Sequence, residues 1–170
     1  MFEQTILPHL DAAYSLARWL TGNDHDAEDI VQESCLRALK FFGTFRGGNP
    51  RAWLLTIVRN TTFTWLKRSR AGHEQVDLPD GALEIEDPAA NPEALFAATA
   101  NREEVRAALA QLPPEFREVI VLRELEDYSY KEIAGIAGVP IGTVMSRLAR
   151  GRKQLQRLLA PGAQPIEGQP

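Results

Sequence analysis

"YKEIAGIAGVPIGTVMSRLARGRKQL", Tyr130 to Leu155, decides how this chain folds. Ser129, just before it, and Glu132 have the S-x-x-E spacing of a capping box, which starts a helix by satisfying two otherwise unpaired N–H groups. Ile133, Ala134 and Ala137 recur at helical spacing and face inward. Gly138 can take a left-handed backbone, and Pro140 cannot continue a helix. A second helix then starts near Ile141 and runs to about Leu159, with Val144 and Leu148 packed back on the first. Two helices joined by a short glycine-containing turn make a helix-turn-helix. The second helix of that motif enters the DNA major groove by its N-terminal part. Thr143, Met145, Ser146, Ala149 and Arg150 are the groove-facing candidates, while Arg147, Arg152 and Lys153 suit phosphates. A helical hairpin with an ordinary basic surface shares this spacing. The basic run favours DNA because it occupies the face that the motif would present.

Working outward, the charge of this stretch contrasts with the rest of the chain. The 170 residues carry a formal net charge of -4, so positive charge is concentrated locally. Asn49 to Gly72 holds Arg51, Arg59, Lys67, Arg68 and Arg70 and no acid. Glu74 to Glu93 holds acids and no Lys or Arg, and Asp24, Asp26, Glu28, Asp29 and Glu33 crowd the early chain. Two basic blocks on amphipathic helices point toward nucleic acid. Within the first block, Trp53, Phe63 and Trp65 are interleaved with Arg59, Asn60, Thr61, Thr62 and Thr64. Aromatic faces beside positive charge suit unstacked single-stranded bases. Trp53 reads as core. Phe45, Arg46, Gly47 and Gly48 lie on the preceding loop.

Composition excludes several classes. Hydrophobic residues at 44% can fill cores, and a single cysteine, Cys35, cannot form an intramolecular disulfide. Three histidines and one cysteine give no metal-ligand spacing, so neither metal nor cofactor is expected. The acids sit at capping positions and in the 72–93 stretch rather than with His or Lys in a site, which argues against catalytic residues and an enzyme. No basic stretch precedes an apolar run, and no apolar run reaches the ~18 residues of a membrane span. A soluble cytoplasmic chain is expected.

The expected fold is all-α: two small helical domains joined by a flexible acidic linker, the C-terminal one a helix-turn-helix. Leu7, Leu10, Ala13, Tyr14, Ala17 and Leu20 trace one helical face, which Gly22-Asn23 ends. The next helix is capped by Asn23 or Asp24, with a core face of Ala27, Ile30, Val31, Leu36 and Leu39. A third runs from about Pro50 to Arg70. Pro79, Gly81, Pro88 and Pro92 mark a linker, and a further helix runs from near Pro92 to about Leu112. Pro113-Pro114 then starts a helix with Phe116, Val119, Ile120, Leu122 and Leu125 buried. The boundaries are 1–71, a linker at 72–93, a second domain at 94–160 and a frayed tail at 161–170.

Three motifs in order, "DAEDIVQESCLRAL" (Asp26 to Leu39), "NPRAWLLTIVRNTTFTWLKRSR" (Asn49 to Arg70) and Leu112 to Leu155, resemble a bacterial sigma-70 family sigma factor of the extracytoplasmic-function group. The resemblance implies a subunit that lends promoter specificity to RNA polymerase. By it, domain 1–71 is region 2, which binds the polymerase largest-subunit clamp through Asp26, Asp29, Gln32 and Glu33. It also reads and melts the minus-ten element through Phe45, Arg46, Arg59, Asn60, Thr61, Phe63, Thr64 and Lys67. Domain 94–160 is region 4, which meets the polymerase flap and reads the minus-thirty-five element through Thr143, Met145, Ser146, Arg147, Arg150 and Lys153. The linker threads through polymerase channels, and an anti-sigma factor controls the protein. A stand-alone helix-turn-helix regulator is the competing reading. It accounts for Tyr130 to Leu155 but not for the acidic helix or the aromatic-basic one.

Overall fold

Pro8 divides the first apolar stretch. Helix α1 (Phe2–Ile6) gives way to a 3-10 turn (Leu7–His9) before α2 (Leu10–Thr21) begins, because proline lacks an N–H and its ring crowds the preceding turn. Of the expected face, Ala13, Ala17 and Leu20 are buried, but Leu7 is exposed because it lies in the 3-10 turn, outside the α2 register. Gly22 ends α2 at φ 73°, and its N–H donates to the Arg18 carbonyl at 2.8 Å. The computed structural model describes residues 1–69 and 102–159. The expected linker (72–93), the tail (161–170) and the first part of the helix expected from Pro92 lie outside them.

Helix α3 (Asp24–Phe41) starts where Asn23 Oδ1 accepts the Asp26 N–H at 3.0 Å. Its buried residues are Ala27, Ile30, Ser34 and Ala38. The expected core residues Leu36 and Leu39 are instead 69% and 58% exposed. Helical geometry gives the reason: at about 100° per residue, Leu36 points opposite to Ala27 and Leu39 lies well off the buried stripe. Helix α4 (Pro50–Ser69) opens with proline in its first turn and buries Leu54, Leu55, Val58, Thr61 and Thr62. Helices α2, α3 and α4 pack on one another as the first half.

The second half contains α5 (Arg102–Ala110), α6 (Pro114–Ile120), a π-helical turn (Val121–Leu125), α7 (Tyr130–Ala137) and α8 (Ile141–Leu159). Every regular element among the described residues is helical, as expected. The capping box at α7 is formed: Glu132 N–H donates to Ser129 Oγ at 3.1 Å, and Ser129 N–H donates to the Glu132 carboxylate at 2.9 Å. Gly138 follows at φ 71°. Val144 and Leu148 are buried between α8 and the rest of the half. Gly151 lets α6 approach closely, since a Cβ there would lie 3.0 Å from Ile120 Cδ1.

The halves meet: α4 packs on α7, and α2 packs on α5 and α6. Arg117 is the buried bolt of this contact. Its guanidinium donates to the carbonyls of Leu109 (2.8 Å), Ala110 (3.1 Å) and Leu112 (2.8 Å), and also to Leu20 across the interface. One cation thereby serves carbonyls at the C-terminal ends of α2 and α5, where the helix dipole favours positive charge, and that of Leu112 just beyond α5.

Candidate nucleic-acid interface

The two basic faces found in the sequence lie on α4 and α8, and the fold treats them differently. On α4, Arg59 is drawn across the interface to α6. Its Nε and Nη2 donate to the two carboxylate oxygens of Glu118 at 2.7 and 3.0 Å. Glu118 is fully buried. Its burial pushes the carboxyl above the usual carboxylate range, and Arg59, with a smaller contribution from Arg147, pulls it partly back. The same guanidinium sits 3.9 Å from the Phe63 ring centroid and donates to Asn60 Oδ1 at 3.2 Å. Arg51, one end of the same helix, lies 5.1 Å from the Tyr128 ring centroid and 3.9 Å from the Glu126 carboxylate. Burial raises the Tyr128 phenol to about 12.

Other residues of this face divide by exposure. Asn60 and Lys67 are exposed, Phe63 and Thr64 are half-buried, and Thr61 and Thr62 are buried. Thr62 and Thr64 hydroxyls donate back to the Val58 and Asn60 carbonyls at 2.7 and 3.0 Å. In the loop before α4, Arg46 is exposed. Phe45 is half-buried, stacked on Phe42 with centroids 5.9 Å apart and set 5.4 Å from Trp53. Trp53 itself is half-buried.

Helix α8 keeps its N-terminal turns open. Ile141 and Met145 are exposed, Thr143, Arg147 and Arg150 are half-buried, and Lys153 is exposed. Ser146 is buried, and its hydroxyl donates to the Gly142 carbonyl at 2.7 Å. Arg152, expected to meet phosphates, is buried instead. It donates to Glu124 at 2.8 and 2.6 Å, with both side chains less than 10% exposed. The reason is geometric: position 152 falls on the inner side of α8 next to Gly151, where the π-helical turn presents Glu124.

Helix α3 presents a third surface. Asp29, Gln32 and Glu33 are exposed, and Asp26 is half-buried in the first turn. Glu33 pairs with Arg37 at 2.9 Å, and His25 lies 3.7 Å from Asp29. Leu36 and Leu39, expected in the core but exposed, lie further along the same helix.

The arrangement has known counterparts. Family profiles described as Sigma-70 region 2 and Sigma-70 region 4 match residues 5–72 and 102–155. The ECF RNA polymerase sigma factor EcfG of Rhodopseudomonas palustris is 36% identical over 155 residues, covering 91% of this chain and 82% of that protein. This chain belongs to the ECF group of the sigma-70 family. The ECF sigma factor SigE of Mycolicibacterium smegmatis is 38% identical over 161 residues, 94% of this chain but 62% of the relative's own length. A solved structure, the sigma factor RpoE in complex with the anti-sigma factor NepR from Bartonella quintana, superposes with a TM-score of 0.71 at 30% identity. It covers 93% of this chain and 96% of that one. Family members are transcription initiation factors, so the acidic, apolar and basic faces can be weighed as docking surfaces. Among the described residues no group of His, Cys, Asp and Glu could hold a metal ion, and no helix is long and apolar enough to cross a membrane.

Proposed function

We propose that this chain binds core RNA polymerase in the cytoplasm, directs it to a defined promoter class, and leaves all chemistry to the polymerase. One observation carries this. A capped helix-turn-helix with an open basic second helix shares its chain with an α3 surface that sets Asp29, Gln32 and Glu33 near exposed Leu36 and Leu39. An apolar patch rimmed by acids suits a protein partner, here the polymerase clamp. Asp26 belongs to the same surface. Region 4 would meet the flap. Thr143, Met145, Arg147, Arg150 and Lys153 form the duplex-facing set, while Ser146, expected among them, is buried.

The opened-strand set on α4 and its loop is Phe45, Arg46, Arg59, Asn60, Thr61, Phe63, Thr64 and Lys67. Arg46, Asn60 and Lys67 are reachable as the domains now pack, whereas Arg59 is held by Glu118 until α4 parts from α6, and Thr61 is buried on the side of α4 that carries Leu54 and Val58. Polymerase that binds the separated domains would supply the differential affinity for that change. The similar structure, RpoE bound to NepR, supports control by an anti-sigma factor, which would favour the inactive arrangement.

The test is transcription in vitro. Core polymerase with this chain should start at discrete sites on genomic fragments, and the chain alone should not shift promoter duplexes tightly. Tight, specific duplex binding without polymerase would favour the stand-alone regulator instead. Replacing Asp29 and Glu33 together with neutral residues should reduce co-purification with core polymerase. Unchanged co-purification would remove them from the docking face.

A further inference from the structure

The N-terminal turns of α8 carry an unusual open face. Ile141 and Met145 are 45% and 49% exposed, two of the few large apolar side chains left in solvent. They are four residues apart, and Ala149 continues the row one turn on, so the three lie along one stripe. Gly142 beside them has no side chain. Ser146 is buried, and its one O–H is given to the Gly142 carbonyl at 2.7 Å. Around the stripe α8 has no acidic residue and carries Arg147, Arg150, Lys153 and Arg157. An apolar row set in positive charge fits a polyanion that itself displays apolar groups. Duplex DNA does this at one base only: the thymine C5-methyl stands in the major groove.

Resting on the promoter-recognition reading, we infer that Ile141 and Met145 read thymine methyl groups of the upstream promoter element, and that Ser146 shapes the helix rather than reading a base. The side chains lose water against the methyl, and the surrounding cations hold the phosphates.

The experiment uses polymerase holoenzyme carrying the full chain. A promoter pool with a randomised upstream element is transcribed, and the enriched element is remade with deoxyuridine for thymidine at those positions only. The enriched pool should contain thymine. Each methyl removed should lower transcription about fourfold, the worth of one buried carbon. With Ile141→Ala and Met145→Ala combined, the thymine and deoxyuridine templates should become equal. Each protein is compared with itself on two templates, so a change in protein level cancels. An enriched element without thymine, equal output from both templates with the unsubstituted protein, or a full difference retained by the double variant would each overturn the inference and leave promoter recognition standing. Failure of the holoenzyme to enrich any element overturns both.

Discussion

Helix α4 turns Arg59 onto a carboxylate that solvent does not reach, whereas α8 holds Ile141 and Met145 in the open. Both helices are basic and both lack compensating acids in their own sequence. The acids that decide their availability come from elsewhere. Glu118 and Glu126 face α4 from the other half of the molecule, while Glu124 takes Arg152 on the inner side of α8. A basic helix is therefore a possible DNA face only after its tertiary partners are counted. In this arrangement the duplex-facing helix is presented and the strand-facing helix is held.

The sharpest way to break the comparison is to unlock α4. Arg59→Ala leaves Glu118 buried without its partner, a penalty of about 3–5 kcal/mol against the packed arrangement. The domains should then part, seen as a larger radius of gyration in small-angle scattering. An unchanged radius would mean that Arg59 does not hold the interface. On α8 the contrast is between neighbours. Arg152→Ala should cost the second domain about 3–5 kcal/mol by the same argument, and Lys153→Ala less than about 0.5 kcal/mol, read as thermal melts. Equal melts for the two variants would put Arg152 back on the surface.

Smaller effects sharpen the picture. Gly151→Ala forces a Cβ to 3.0 Å from Ile120, an overpacking of about 1–3 kcal/mol that the better helix propensity of alanine offsets by about 1 kcal/mol. Denaturant titration should therefore show a modest net loss. Ser129→Ala should cost about 1 kcal/mol through the lost cap.

The two carboxylates also predict opposite pH responses. Backbone and side-chain hydrogen bonds from Ser129 hold Glu132 below its ordinary 4.5. Its contribution is present above that value and is lost as pH falls through the lowered one. Glu118 is shifted upward by burial. Its contribution to the packed arrangement is fully present below the ordinary carboxylate value and is lost as pH rises through the raised one. Glu132→Gln should flatten the acid limb of an unfolding titration, and Glu118→Gln should flatten the pH dependence of domain closure in scattering. A parent and variant that titrate alike would discard the respective assignment.

Much of this molecule was legible in one dimension because its signals are local. The Ser129–Glu132 capping box, the left-handed Gly22 and Gly138, and the apolar spacing of Val144 and Leu148 depend on residues within a turn or two of each other. Short-range geometry therefore sets helix ends and inner faces, and the helix-turn-helix with its basic run follows. The tertiary structure decided which charges remain available. Arg59 and Glu118 are 59 residues apart, and Arg117 reaches Leu20 across 97. No periodicity records such pairs, because desolvation and ion pairing depend on what another element brings to the same place. Leu36 and Leu39 belong with the local signals instead: the helical turn that sets Ala27 and Ile30 inward turns them outward, whereas which basic side chains stay open was decided only by what the other elements bring against them.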